Sequence, residues 1–180
     1  MNEIIYGRDE IARALVSLAD SILAVQPQEP TFIGIRRGGL VLCDRLIGLI
    51  GRKLGRLPAR GVIDINLYRD DWTVARELPQ VGRTEIPFSL DGLRVVLVDD
   101  VIFTGRTARA ALEALVDFGR PSRVELATLV DRGHREMPVH ADYVSFKITT
   151  TLSQKVNVYF QEQGGRCEDR VVLEEGRVGE

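Results

Sequence analysis

The clearest chemistry in this 180-residue chain is a pair of adjacent carboxylates at the end of an apolar run. The segment Val95-Val96-Leu97-Val98-Asp99-Asp100-Val101-Ile102-Phe103-Thr104-Gly105-Arg106-Thr107 reads as a buried strand ending in the acid pair, a short apolar loop, and a helix entered through Thr-Gly-Arg-Thr. At the carboxyl edge of an open α/β sheet, such a pair faces the crevice where ligands bind. Its oxygens accept hydrogen bonds from hydroxyls or hold a hard metal ion. Thr104, Gly105 and Thr107 bring hydroxyls and approachable N–H groups to the positive end of the helix, an arrangement suited to a phosphate dianion. A ribose 5-phosphate meets both demands, its 2′ and 3′ hydroxyls donating to Asp99 and Asp100 and its phosphate resting on residues 104–107. Taken singly, an acid pair ends many strands and Thr-Gly caps many helices; the complete order of residue types is what points to a ligand. The loop is not a Walker A motif, because G-x-x-x-x-G-K-[ST] is absent and Arg106 stands where the lysine would be.

The surrounding pattern supplies elements to position these groups. Residues 9–24 carry Ile11, Leu15, Leu18 and Ile22 on a 3.6-residue stripe, predicting a helix with Asp9 capping its first turn. A short strand over 31–35 leads into Gly34-Ile35-Arg36-Arg37-Gly38-Gly39 and a second helical stripe through Leu40, Leu42, Leu46 and Ile50. A β-branched run covers 62–67. Residues 69–91 lack periodicity and hold Pro79, Gly82 and Pro87, predicting an excursion of the kind that forms a lid. Further strands are predicted over 94–98, 124–130, 143–146 and 156–160, and a helix over 107–118 stopped by Gly119 and Pro121. Alternating strands and helices predict one α/β domain over residues 1–180 with a mainly parallel central sheet flanked by helices.

Composition narrows the classes. Hydrophobic residues make up 44% and charged residues 28%, with mean hydropathy −0.03, a balance that excludes disorder and fibrous repeats. No apolar run approaches the ~18 residues of a membrane span, and MNEIIYGRDE lacks the apolar core of a signal peptide, so a cytoplasmic protein without a membrane partner is expected. Cys43 and Cys167 stand far apart without a CxxC pair, which indicates neither a disulfide framework nor a zinc site. The net charge of −2 excludes a globally basic nucleic-acid binder but leaves room for a local patch. Among the basic residues only Lys53, Lys147 and Lys155 are lysines; the arginine excess fits either a GC-rich genome or phosphate recognition.

The 95–107 segment resembles the PRPP-binding motif of the type I phosphoribosyltransferases. More narrowly, the chain is similar over roughly residues 8–160 to the family of bifunctional pyrimidine-operon regulators that are also uracil phosphoribosyltransferases. That narrower resemblance rests on Ile63-Asp64-Ile65-Asn66-Leu67-Tyr68-Arg69-Asp70-Asp71, on Ala114-Leu115-Val116-Asp117 through Gly119-Arg120-Pro121-Ser122, on Leu129-Val130-Asp131-Arg132-Gly133-His134-Arg135-Glu136, and on Ala141-Asp142-Tyr143. It implies the type I fold with a flexible lid, about 69–91, and a small hood built from the chain termini, mainly 140–180.

It also implies roles. The first glycine-rich turn, with Ile35, Arg36, Arg37 and Gly38, would bind pyrophosphate, and Arg69 would add a catalytic donor beside Asp99 and Asp100 as the lid closes. The whole 95–107 segment would bind PRPP and UMP. Phe103, Lys155 and Val156 would line the base site; purine-specific members carry an aspartate where this chain has Phe103, which favours a pyrimidine over the purine alternative. Mg²⁺ would arrive bound to PRPP, with no metal site from the protein alone. The expected reaction joins uracil to PRPP, giving UMP and pyrophosphate, in a homodimer or dimer of dimers.

A second function class, a UMP-responsive regulator that binds pyrimidine-gene leader mRNA and attenuates transcription, is implied at His134 and Arg135. A polar turn after a strand reads the same way. Four positions depart from the regulators' pattern: Val16 and Asp20 replace threonine and histidine, Arg37 a threonine and Phe146 a lysine. A carboxylate facing RNA is unfavourable, so a phosphoribosyltransferase without RNA binding is the alternative.

Overall fold

The computed structural model describes residues 2–25, 29–36, 38–65, 84–164 and 168–176. Five parallel strands form the main sheet: β2 (Thr31–Ile35), β3 (Arg60–Ile63), β4 (Arg94–Ile102), β5 (Arg123–Asp131) and β6 (Tyr143–Lys147), in the order β3-β2-β4-β5-β6. The inner strands are apolar on both faces, as a parallel sheet covered on both sides requires. Along β4, Val96 and Val98 enter a core with α1 (Arg8–Ala24) and α2 (Gly38–Leu54), while Val95 and Leu97 enter a second core with α3 (Arg106–Leu115). The two-residue alternation of the strand thus feeds both layers.

A second, three-stranded antiparallel sheet joins the chain ends: β1 (Asn2–Tyr6), β7 (Lys155–Tyr159) and β8 (Arg170–Glu174), in the order β1-β8-β7. Val156, Val158 and Val171 share the α1 and α2 core. β1 and β8 escape a sequence reading because each is only five residues long and pairs across the whole chain.

Several expectations need correction. Helix α1 is capped at Gly7, whose amide donates to Glu10 Oε2 at 2.8 Å, while Asp9 lies in the first turn. The strand expected over 62–67 runs earlier, over Arg60–Ile63. The helix expected over 107–118 ends at Leu115 and closes with a 3-10 turn over Val116–Phe118. The strand expected over 94–98 continues to Ile102, so the acid pair lies within it. Of the expected lid, 69–83 lie outside the described residues; 84–91 are anchored, with Glu85 bridged to Val62 and Leu90 fully buried. Burial pushes the Cys43 thiol up to about 12, leaving it unreactive, and Cys167 lies outside the described residues.

Candidate active site

The order β3-β2-β4-β5-β6 reverses direction between β2 and β4, and the crevice beyond their carboxyl ends is the place where such sheets bind ligands. The turn after β2 and the loop after β4 meet there. Helix α2 begins with two glycines against β4: a Cβ on Gly38 would lie 2.1 Å from Asp100 Oδ2, and one on Gly39 would lie 2.1 Å from the Val98 carbonyl oxygen. Only residues without a side chain let the first turn come this close. Arg36, in the turn, is half-buried; its amide donates to the Ile63 carbonyl at 2.9 Å and its guanidinium lies 4.0 Å from Glu85. Arg37 and Arg69 lie outside the described residues.

Asp99 is buried and Asp100 partly so. The amide of Asp100 donates to Asp99 Oδ1 at 3.0 Å, and the amide of Val101 to Asp100 Oδ1 at 2.9 Å. Burial and the neighbouring Asp100 charge push Asp99 well above the usual carboxylate range, and burial raises Asp100 as well. The pair therefore retains a proton at a pH where an isolated aspartate has lost it.

The loop after β4 opens on a cavity of about 330 Å³ lined by Asp99, residues 101–108 and Leu126. Gly105 caps α3 at φ 87, a left-handed conformation that favours glycine. Its carbonyl accepts from Arg109 at 2.9 Å. The Thr104 hydroxyl accepts from the Arg106 amide at 3.4 Å, and the Thr104 carbonyl accepts from the amides of Glu136 and Met137 at 2.9 and 3.0 Å. Residues 136–139 thus brace the loop from behind, helped by an Arg106–Glu136 ion pair at 2.7 Å. The helix end faces the cavity with its amide dipole, a setting for an anion. Val95, Val96, Leu97 and Val98, counted with the motif in sequence, hold the sheet together and line no part of this cavity.

Phe103 is gripped from one turn of chain. The Arg132 guanidinium lies over its ring at 3.9 Å, the His134 ring meets its edge at 5.9 Å, and Arg135 Nη1 donates to its carbonyl at 2.6 Å. Arg135 also donates to the carbonyls of Val139 and Gly133 and pairs with Asp131 at 2.7 Å. Burial works against the Asp131 carboxylate, but Arg135 and the Gly133 amide together hold its pKa below the ordinary value. His134 adopts a positive φ of 61 and its Nε2 lies 2.7 Å from the Thr150 carbonyl. Lys155 is exposed at the start of β7, on the open edge of the small sheet; the Val156 side chain is buried, so it offers a ligand only backbone.

Two positions that depart from the RNA-binding pattern are satisfied within the chain. Asp20 pairs with Lys53, and Phe146 stacks on Tyr6 at 3.8 Å. Val16 is exposed on α1. Sequence reasoning missed Arg132; it and Phe103, the aromatic residue it meets, are 29 positions apart in sequence, and only the β4–β5 pairing, which sets Ile102 beside Asp131, brings them together.

A crevice at the switch point, with acids at one end of a loop and a glycine-capped helix at the other, is the site of the phosphoribosyltransferases. The phosphoribosyl transferase domain model matches residues 3–163, and the chain belongs to that family. Within it the chain belongs with the proteins named Bifunctional protein PyrR: that of Syntrophobacter fumaroxidans is 45% identical over 177 residues, 97% of this chain and 94% of the relative. That of Thermus thermophilus is 48% identical over 166 residues, 91% of each. Among solved structures, the hypoxanthine phosphoribosyltransferase of Trypanosoma cruzi superposes with a TM-score of 0.67 over 97% of both chains at 17% identity. A hypoxanthine-guanine phosphoribosyltransferase of Bacillus anthracis gives 0.65 over 81% of this chain and 83% of its own at 20% identity. These two share the fold.

Proposed function

We infer that this protein transfers the phosphoribosyl group of PRPP to uracil, giving UMP and pyrophosphate, and regulates pyrimidine biosynthesis genes as a UMP-responsive RNA-binding protein. The observation that carries the enzymatic half is one cavity with buried Asp99, the neighbour of Asp100, at one end and the Gly105-capped start of α3 at the other. Its spacing answers to a ribose 5-phosphate. The 5′-phosphate rests on the amides and hydroxyls of residues 104–107, and the ribose hydroxyls donate to Asp99 and Asp100. Arg36, Arg37 and Gly38 receive the pyrophosphate, with Arg69 as a further donor. Phe103, Lys155 and the Val156 backbone face the base.

Catalysis on this arrangement is positioning and charge stabilisation. The acid pair fixes the ribose so that its anomeric carbon is presented to the base, and its negative charge favours the cationic character that carbon acquires as pyrophosphate departs. The arginines of the β2–α2 turn take up the charge of the leaving group. An all-oxygen donor set at the crevice fits Mg²⁺ entering on PRPP, with Asp99 and Asp100 as the carboxylates at hand; when bound, the ion neutralises pyrophosphate. Among the described residues no group of three or more His, Cys, Asp or Glu forms a metal cage.

The regulatory half draws support from the turn 131–135. Two of its residues, His134 and Arg135, are tied to Phe103 at the base pocket, so occupancy of the nucleotide site and the shape of this turn are mechanically joined. The Asp20–Lys53 pair softens the charge penalty on α1. Leader mRNA of pyrimidine genes is the partner, and a homodimer or dimer of dimers the assembly; the substrates are soluble metabolites, which places the work in the cytoplasm. Among the described residues no helix is long and apolar enough to cross a membrane.

The decisive experiment is a side-by-side assay of uracil, hypoxanthine and guanine with PRPP and Mg²⁺. UMP formation well above any purine product is expected; a purine product without UMP would refute the pyrimidine reading.

A further inference from the structure

The loop after β5 reaches back to the start of α3 and brings Glu136 beside residues 104–107. A carboxylate next to an anion subsite is a liability, because like charges repel. The loop does not depend on it for its own anchorage. The Glu136 and Met137 amides both donate to the Thr104 carbonyl, Arg135 Nη1 donates to the Phe103 carbonyl at 2.6 Å, and a Cβ on Gly105 would lie 3.3 Å from Met137 Cβ. Backbone, Arg135 and Met137 therefore hold the two loops together, and the Glu136 side chain is left to take the Arg106 guanidinium, Nε to Oε2 at 2.7 Å. Arg106 is the one cation among the described residues that line the cavity; Glu136 lies outside that lining. The lining cation at the phosphate end is thus matched by an acid from behind. Its hold is light. The two side chains are 42% and 50% exposed, against 14% and 19% for the Arg135–Asp131 pair of the same loop. An ion pair so open to water contributes little and exchanges readily, whereas a phosphate offers a guanidinium more charge and three acceptor oxygens.

We propose that Glu136 sets the strength of the 5′-phosphate subsite by holding Arg106 as a reserve counter-ion. In the ligand-free protein the guanidinium rests on Glu136; a 5′-phosphate seated on residues 104–107 draws it toward the cavity, and Glu136 turns to water. The proposal rests on the phosphoribosyl reading of this cavity. Glu136 touches no substrate and acts only through Arg106, so it is a positioning residue. PRPP and UMP carry the same 5′-phosphate, and the cost of the exchange weakens the hold on substrate and product alike, which is uniform binding. UMP leaves more readily for the same reason that PRPP binds less tightly. A ligand without a phosphate, such as uridine, gives Arg106 no cause to move and is indifferent to Glu136.

The full-length variants E136Q, R106Q and the double variant test this by calorimetry with UMP, ribose 5-phosphate and uridine, at low salt and at about 0.5 M salt, where exposed charges are screened. At low salt E136Q should bind UMP and ribose 5-phosphate about two- to fivefold tighter than wild type, the scale of one exposed ion pair. The gain should fade at high salt and be absent for uridine. The KM for PRPP should fall in the same proportion without a rise in kcat. R106Q should bind UMP more weakly than wild type, and the double variant no more tightly than R106Q. If E136Q melts well below wild type, E136D, whose shorter side chain cannot hold the guanidinium in place, should give a gain in the same direction. Unchanged or weaker UMP binding by the folded variants would make Glu136 a brace for the loop and overturn the proposal. A gain that persists in the R106Q background would mean that Glu136 repels the phosphate directly, and overturns it too. A wild type that binds neither UMP nor ribose 5-phosphate overturns the phosphoribosyl reading itself; one that binds both while E136Q gains nothing overturns the role of Glu136 alone.

Discussion

Asp100 Oδ2 occupies the space in which Gly38 would carry a side chain, since a Cβ there would lie 2.1 Å away. The β2–α2 turn and the acid pair therefore share one wall, and neither can shift without the other. Gly38→Ala should displace the Asp100 carboxylate and weaken PRPP binding by about tenfold or more, a loss on the scale of one charge-assisted hydrogen bond. Calorimetry with PRPP and Mg²⁺ checks this; unchanged affinity with an intact fold would show that the turn and the acid move independently.

The acid pair makes opposite predictions for binding and for stability. Asp99→Asn and Asp100→Asn should each weaken UMP binding by about 1.5–3 kcal/mol. The pKa of Asp99 is raised in the folded protein, so the native state binds more protons than the unfolded chain above the unfolded aspartate value of about 3.9. Ligand-free stability then falls as pH rises from that value through the raised pKa. Asp99→Asn, which mimics the protonated form, should melt higher than wild type at neutral pH and lose that advantage below about pH 4. Thermal melts across pH decide the point.

Because burial raises the pKa of Asp99, binding of Mg²⁺ and PRPP by an ionised pair must expel the proton that Asp99 retains below its raised pKa. Calorimetric titrations in buffers of different ionisation enthalpy should report net proton release at pH values below the raised Asp99 pKa, absent in Asp99→Asn. Identical heats in all buffers would mean that the pair enters the complex in its ligand-free protonation state.

Arg94 and Glu125 form a buried pair at 2.6 Å, completed by the Tyr143 hydroxyl, which donates to Glu125 at 2.9 Å and accepts from Arg94 at 3.0 Å. Arg94 Nη2 also holds the Ile22 carbonyl at 3.0 Å and Nη1 the Val25 carbonyl at 3.0 Å, fastening the end of α1 to the sheet. Arg94→Met leaves Glu125 buried with its main partner gone and should cost about 3–5 kcal/mol, whereas Tyr143→Phe should cost about 1–3 kcal/mol. Both should leave the KM for PRPP unchanged, because the network lies at the amino end of β4, away from the site. Denaturant melts and steady-state kinetics measure the two sides.

RNA recognition should weaken steeply with salt and strengthen with UMP. Arg135 is tied to Phe103, Gly133, Val139 and Asp131, so Arg135→Ala should loosen the loop and lower UMP affinity together with RNA affinity. Filter binding of the organism's own leader RNA at two salt concentrations, with and without UMP, checks this. Tight, UMP-enhanced binding untouched by Arg135→Ala would place the RNA face elsewhere.

The chain order of apolar strand, Asp99-Asp100, apolar loop and Thr104-Gly105-Arg106-Thr107 was enough to point to the phosphoribosyltransferase family, because each feature depends on local rules: a strand buried on both faces, a helix N-terminus and a glycine that turns left-handed. The α/β alternation was legible for the same reason, and α1, α2 and β5 fall close to where periodicity placed them. Tertiary structure alone decided the rest. β1 and β8 are short and find each other across the whole chain, so no local signal marks them. The approach of Gly38 to Asp100 follows from the reversal of strand order between β2 and β4. The raised pKa of Asp99 depends on burial, which neighbouring residues do not encode. His134 and Arg135 read as exposed RNA contacts in sequence, yet they face inward on Phe103, and Arg132 is remote from Phe103 until β4 and β5 pair in register. Periodicity and turn chemistry act over a few residues, whereas the electrostatics of a site is the sum of groups that only the packed chain brings together.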